Sequence, residues 1–325
     1  MKLIKVGKDS GIPLLGLSYL GILHRNNVSL LQIRPLTACN LHCPFCSTDG
    51  GPKSKFHQTQ FIIDCNYLLD WVKEVVSYYG KIDWAHIDSV GEPLLYPDLI
   101  PLIIGLRKMK GIRKISLVTN GSLLTASKIT QLEKAGLNKI NVSVHSLDPE
   151  KSTMLFGSET YDIRRVKNAL KALAESSLEL WMVPVYLPGV NDKDIEELIV
   201  YSKELGCKIG IQKYEIHKFG RKMKGVKKQN YHQFYQQLSV WEKKFDMKLK
   251  YGEHDLDVTR VKPLPLKLQQ SKDVSVEVKS VGWFKDQYIG VAENRAVTLL
   301  KKNVKPGQKV RAKVLESRNN IYLVK

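Results

Sequence analysis

Between residues 28 and 216 the chain repeats one pattern: a short apolar run rich in β-branched residues, then an amphipathic helical stretch. The strand-like runs are 28–36, 81–90, 113–119, 138–145, 178–187 and 208–216. Between them the periodicity predicts helices over 64–79, 97–109, 125–135, from Asp148-Pro149-Glu150 to about 175, and 193–205. Six strands alternating with helices predict an α/β fold with a parallel sheet and right-handed crossovers. In a barrel of that kind, chemistry collects at the C-terminal ends of the strands. The polar and ligating residues of this chain fall at those ends: the cysteine-rich run 39–46, then Gly91-Glu92-Pro93, Asn120, His145 and Glu215.

The first of these ends carries the sharpest chemical signal. Cys39, Cys43 and Cys46 form a CxxxCxxC run. Three thiolates within eight residues can wrap one inorganic centre, and soft thiolates select iron–sulfur clusters or zinc. A structural zinc site takes four protein ligands, so zinc would need His42 or His57 as well. The spacing also departs from the usual zinc knuckles. A [4Fe–4S] cluster on three cysteines leaves one iron open.

The CxxxCxxC run resembles the cluster motif of the radical SAM superfamily, and residues 28–217 resemble its core throughout. That resemblance implies a partial (β/α)6 TIM-like barrel, a [4Fe–4S] cluster on Cys39, Cys43 and Cys46, and S-adenosylmethionine at the open iron. It places Phe45 against the adenine. Gly91-Glu92-Pro93 resembles the family's Gly-Gly-Glu-Pro element, with Val90 in place of the first glycine, so Glu92 is expected at the methionine ammonium. Ser143 and His145 alternate along one strand and share a face, where the family's polar residues reach the ribose. Asn120 is a further cofactor candidate. Each has a plainer reading: a loop carboxylate for Glu92, a turn residue for Asn120, and a histidine satisfied at a strand end for His145. Cys65, near a helix start, reads as structural. Cys207 is a candidate methyl carrier or a packing residue.

Charge divides the chain. Residues 1–205 hold 24 Lys and Arg against 21 Asp and Glu. Residues 206–250 hold 12 against 3, and residues 262–325 hold 14 against 5. The formal net charge of +19 therefore lies almost wholly in the last third. Its densest run, with Lys218, Arg221, Lys222, Lys224, Lys227 and Lys228, suits a polyanion such as RNA, or serves only as a solvated surface. Tyr231, Phe234, Tyr235, Leu238 and Trp241 recur at helical spacing over 231–245 and read as core.

From residue 273 the texture changes to five short alternating strands, a small all-β, OB-like barrel. This segment resembles a TRAM domain, an RNA-binding module, with residues 304–310 matching its late turn and strand. The organisation is then a lead-in (1–27), a core with a helical extension (28–250), a linker (251–272) and a TRAM-like β-barrel (273–325). Trp283, Phe284 and Tyr288 are expected either to stack on bases or to fill the barrel.

No cysteine precedes Cys39 and none follows Cys207. The resemblance thus excludes a second cluster domain and auxiliary clusters, and leaves no room for a cobalamin domain. The apolar stretch 11–23 is too short to span a membrane and lacks the flanks of a signal peptide, so it is expected to pack on the core. Few cysteines and an oxygen-sensitive cluster point to a reducing cytoplasm. The function expected is modification of a nucleoside in tRNA or rRNA, with a ferredoxin or flavodoxin as electron donor. The alternatives are radical chemistry on a protein or small molecule, and a non-catalytic iron–sulfur or zinc protein that binds RNA.

Overall fold

The computed structural model describes residues 1–25, 27–301 and 303–325, and its contacts divide the chain into two compact units. One comprises Met1–Ala38, Ser54–Lys114 and Val258–Lys325; the other comprises Cys39–Lys53 and Ile115–Asp257. The architecture is mixed α/β, with a parallel sheet and a small closed barrel of five strands.

In the first unit the strand Leu30–Arg34 pairs in parallel with Ile82–Ile87 and antiparallel with Gly21–His24. The helix Cys65–Tyr79 buries Leu68, Trp71, Val72, Val75 and Val76, the face its periodicity predicts. Asp64 caps it by accepting from the Tyr67 amide, and Gly80 ends it. The lead-in holds more structure than expected. Lys2–Val6 pairs in parallel with Thr59–Ile63, two strands that the sequence reading missed. Each is only five residues long, and an edge pair of that length leaves little periodicity to detect. Ile12, Leu14, Leu17, Tyr19 and Leu20 are buried, so stretch 11–23 packs inside as expected.

The barrel comprises Asp273–Val281, Tyr288–Ala292, Arg295–Leu299, Lys309–Arg318 and Ile321–Val324. Val276, Val278, Val297, Val314 and Tyr322 fill it, with Tyr288 packed alongside. Backbone hydrogen bonds fasten it to the lead-in: the Ala296 amide donates to Leu15 and the Tyr322 amide to Gly16. Trp283 is only 3% exposed, stacked between Tyr19 and His57 at centroid distances of 4.9 and 4.2 Å. The Gln58 side-chain amide donates to the carbonyls of Gly282, Phe284 and Gln287. The expectation that Trp283 is available to stack on bases is therefore corrected: its ring is a buried joint between the barrel and the lead-in. Phe284 is half-buried against His57 and Trp283.

In the second unit the strands Ile112–Thr119 (from Ile115 onward), Lys139–Val142, Glu179–Met182 and Lys208–Ile209 lie side by side in parallel. The helices Ala126–Ala135, Pro149–Phe156, Ile163–Ala174 and Asp192–Glu204 make the crossovers. The helical region expected from Asp148 to about 175 holds two helices, because Gly157 takes a left-handed C-cap and Asp162 caps a new start. The fifth and sixth strands are each broken, continuing as Val185–Tyr186 and Gln212–Lys213, which pair with each other. Pro184, without an amide hydrogen, interrupts the fifth. The helix Tyr231–Phe245 buries Phe234, Leu238 and Trp241, while Tyr231 and Tyr235 are exposed, so only part of the aromatic stripe is core. No helix among the described residues is long and apolar enough to cross a membrane.

The buried joint gives a direct test. Trp283→Ala removes a large side chain from between two rings and is expected to lower unfolding free energy by roughly 3–5 kcal/mol. Urea titration of the full chain measures this; a loss within experimental error of zero would mean that the barrel is not fastened through Trp283.

Candidate functional site

The cysteine loop follows the strand Leu30–Arg34, and its backbone is folded back on itself. The Cys46 amide donates to the Cys43 carbonyl at 3.1 Å, and the Gly50 amide donates to the Cys46 Sγ at 3.3 Å. The His42 amide donates to the Phe156 carbonyl at the end of a crossover helix. All three cysteines are partly exposed. Burial pushes the Cys43 thiol up, and the neighbouring Cys46 and Cys39 push it further, while the Arg221 guanidinium pulls the other way. The three thiols thus occupy one electrostatic site. A mononuclear structural zinc site takes four protein ligands, one more than the three cysteines of this loop supply. The histidines that might complete such a site are engaged: His42 Nδ1 lies 2.8 Å from Arg221 Nη1, and His57 is buried against Trp283. Three soft donors on one short loop, partly open to the outside, fit a cluster with one iron left free.

Gly91 explains itself sterically. A Cβ there would lie 1.9 Å from the Ala38 carbonyl oxygen, so only glycine permits this approach. The Glu92 amide donates to that same carbonyl at 2.8 Å, which fixes the turn beside the residue preceding Cys39. Glu92 is 1% exposed, and its Oε1 accepts from the Leu94 amide at 2.9 Å. Pro93 begins the short 3-10 turn that follows.

Asn120 does more than turn the chain. Its Nδ2 donates to Asn40 Oδ1 at 3.0 Å, Asn40 Nδ2 donates to Ser122 Oγ at 2.9 Å, and Ser122 Oγ donates to Asn120 Oδ1 at 2.6 Å. This closed ring of side chains ties a strand end to the cysteine loop. Asn40 and Ser122 escaped the sequence reading because each is ordinary for a loop; only their meeting across the fold is informative.

Phe45 is 7% exposed and packs with Leu155 and Leu187. It meets the His145 ring edge-on at 4.9 Å. His145 Nδ1 accepts from the Val185 amide at 3.1 Å, so the proton of the neutral ring sits on Nε2. Burial pulls its pKa down to about 3. Ser143, half-buried just past the strand end, donates its amide to the Thr119 carbonyl. Cys207 precedes the strand Lys208–Ile209 and so lies at the N-terminal end of the parallel strands, away from the ends that carry Asn120 and Ser143. Burial pushes its thiol up to about 11, the reverse of an activated nucleophile. Cys65 is pushed up to about 11 as well, by burial and then by Asp98 and Asp64.

The basic run separates into two groups. Lys218, Lys222, Lys224, Lys227 and Lys228 are exposed. Arg221 is not one of them. Its side chain is 15% exposed and is spent on the cysteine loop, so its expected place in a solvent-facing basic patch is corrected. The sequence offered no signal for this, since an arginine among lysines reads as one more cation.

The buried histidine has a consequence for acid stability. His145 titrates near 6.5 in the unfolded chain and about 3 in the folded one. As pH falls from 6.5 toward 3, the unfolded state therefore binds a proton that the folded state refuses, and stability falls by up to about 1.4 kcal/mol per pH unit. His145→Phe is expected to flatten this slope relative to the parent in urea titrations at pH 7, 5.5 and 4. Parallel slopes would show a solvated imidazole.

Comparison with known proteins adds to this geometry. The model of a family described as the radical SAM superfamily matches residues 33–201, which take in the cysteine loop, Gly91, Glu92, Asn120 and His145. Protein MJ0103 of Methanocaldococcus jannaschii is 30% identical over 339 residues, covering 96% of this chain and 78% of that protein. The GTP 3',8-cyclase of Aquifex aeolicus is 30% identical over 188 residues, 58% of this chain and 57% of the cyclase, so the match spans little more than half of that enzyme. Among solved structures, SuiB of Streptococcus suis superposes with a TM-score of 0.54 at 19% identity, over 75% of this chain and 51% of SuiB. A likeness at that identity speaks for the fold alone. The family match covers half of the chain, including the cysteine loop and the strand ends up to His145, a relative aligns along nearly the whole chain, and three thiols share one loop: this chain belongs to the radical SAM superfamily.

Proposed function

We propose that the chain is a single-cluster radical S-adenosylmethionine enzyme that modifies a nucleoside in tRNA or rRNA. When bound, a [4Fe–4S] cluster and S-adenosylmethionine together supply a carbon radical able to take hydrogen from an unreactive C–H bond. Cys39, Cys43 and Cys46 hold the cluster. Glu92, fixed by its bonds to Ala38 and Leu94, receives the methionine ammonium. Phe45 and the neutral His145 form an apolar wall for the adenine, with Ser143 near the ribose. Asn120 acts here through Asn40, by holding the loop.

The observation that carries the RNA reading is the group of exposed lysines, Lys218, Lys222, Lys224, Lys227 and Lys228, which follow the strand Gln212–Lys213. Lys227 and Lys228 line a cavity of ≈ 470 Å³ with Lys213, Tyr214 and Asn230. Such a surface matches the charge of a phosphate backbone. A reduced ferredoxin or flavodoxin supplies the electron, and the cluster's need for a reducing compartment suits the cytoplasm. A second reading, a small nucleotide substrate, is favoured by the similarity to the GTP 3',8-cyclase.

Two measurements test this proposal. Anaerobically reconstituted protein is expected to hold about four irons per chain. Alanine at Cys39, Cys43 or Cys46 abolishes cleavage of S-adenosylmethionine, whereas alanine at Cys65 or Cys207 retains it. Glu92→Gln keeps the iron and weakens S-adenosylmethionine binding about tenfold or more, the value of a charged hydrogen bond. Tightly held stoichiometric zinc in active protein would overturn the assignment.

The second measurement is RNA binding at several salt concentrations. Replacing the five exposed lysines with glutamine is expected to weaken binding and to lower the slope of log K against log salt by up to about 4. Mass spectrometry of nucleosides from RNA crosslinked to the parent identifies the target. Unchanged affinity and slope, with binding of a free nucleotide instead, would favour the small-molecule reading.

A further inference from the structure

Arg221, the residue after Gly220, holds the cysteine loop at several points. Arg221 Nε donates to the Cys43 carbonyl at 2.6 Å, and Nη2 donates to the Gly50 carbonyl at 2.6 Å. Nη1 lies 2.8 Å from both Asp49 Oδ1 and His42 Nδ1. The Arg221 backbone amide donates to the Cys46 carbonyl at 2.8 Å. One arginine thus holds the backbone or side chain of five loop residues, 42, 43, 46, 49 and 50. Its planar fork of donors suits this; the single ammonium of a lysine does not.

The surroundings are built for the same contact. A Cβ on Gly220 would lie 2.8 Å from the Ser47 carbonyl oxygen and 3.0 Å from that of Cys46, so glycine lets the two backbones touch. Tyr214 Oη donates to the Arg221 carbonyl and accepts from the Met223 amide. Tyr214 and Met223 in turn pack on the Phe45 cluster. Asp49, the partner carboxylate, is 1% exposed and adopts a left-handed backbone at φ 55°, which costs a non-glycine residue free energy unless its surroundings compensate. A buried pair of this kind binds strongly in both directions, since losing either partner strands the other's charge.

We propose that Arg221 is the positioning residue of the cluster loop and that the Arg221–Asp49 pair keeps the charge beside the cluster balanced. The inference rests on membership of the radical SAM superfamily and is independent of the substrate. Its electrostatic part gives opposite signs. Reduction adds negative charge to a cluster, so a nearby uncompensated cation favours it and an uncompensated anion opposes it. Arg221→Met removes the cation and keeps the Asp49 carboxylate; Asp49→Asn removes that carboxylate's charge and keeps the guanidinium. The double variant is neutral again, like the parent.

The experiment is a redox titration of the anaerobically reconstituted full chain, followed by electron paramagnetic resonance, with iron content and chelator-driven iron loss measured alongside. Arg221→Met is expected to lower the reduction midpoint, Asp49→Asn to raise it, and the double variant to return toward the parent. Arg221→Lys keeps the charge without the fork, so its midpoint stays near the parent's while iron is lost several-fold faster. Should Arg221→Met fail to fold, Asp49→Asn and Arg221→Lys still decide the matter. Shifts of the same sign for the two single variants, no shift in Asp49→Asn, or parental iron retention in Arg221→Lys would overturn the proposal.

Discussion

The candidate site depends on how a cysteine-bearing loop is kept in one shape. A loop exposes backbone donors and acceptors that neither helix nor sheet satisfies, and unsatisfied ones are costly when buried. Here the partners come from distant stretches. Phe156 accepts from His42, the side chain of Asn120 donates to Asn40, and Arg221 takes the carbonyls of Cys43, Cys46 and Gly50. The loop's conformation is thus set largely by neighbours that touch no metal. Holding ligand-bearing segments in place through such partners is the general rule at metal centres.

This division explains what was legible in the sequence. The cysteine spacing is local, so the ligands are plain from their order alone. The helix face of Leu68, Trp71, Val72, Val75 and Val76 is legible for the same reason: its period lies within one element. Glycine at position 91 is suggested by a motif, and the reason for it, contact with the Ala38 carbonyl, is found only in the fold. Arg221 and Asn40 were illegible because their meaning lies in contacts 178 and 80 residues apart along the chain. Residue type decides nothing there; position in space does.

Electrostatics separates the remaining candidates more cleanly than composition does. His145 and Cys207 both have side chains capable of acid–base or nucleophilic work. Burial without a compensating charge holds one neutral and keeps the other a thiol. Both are fixed in the form that packs well. The lysines after Gly220 are the reverse case: they remain exposed and charged, while the arginine among them has been drawn inward.

The joint between the lead-in and the barrel bears on how the chain reaches its fold. Tyr19 is made well before Trp283, the ring that covers it, which lies far along the chain. Leu15 and Gly16 likewise accept their hydrogen bonds from Ala296 and Tyr322. During synthesis the face of residues 15–19 that meets the barrel must wait, uncovered, until the barrel strands have emerged. Closing so long a span is slow, and uncovered apolar surface invites association with other chains. The interval between first and last contact, rather than the final stability, is then the period in which a nascent chain most depends on chaperones.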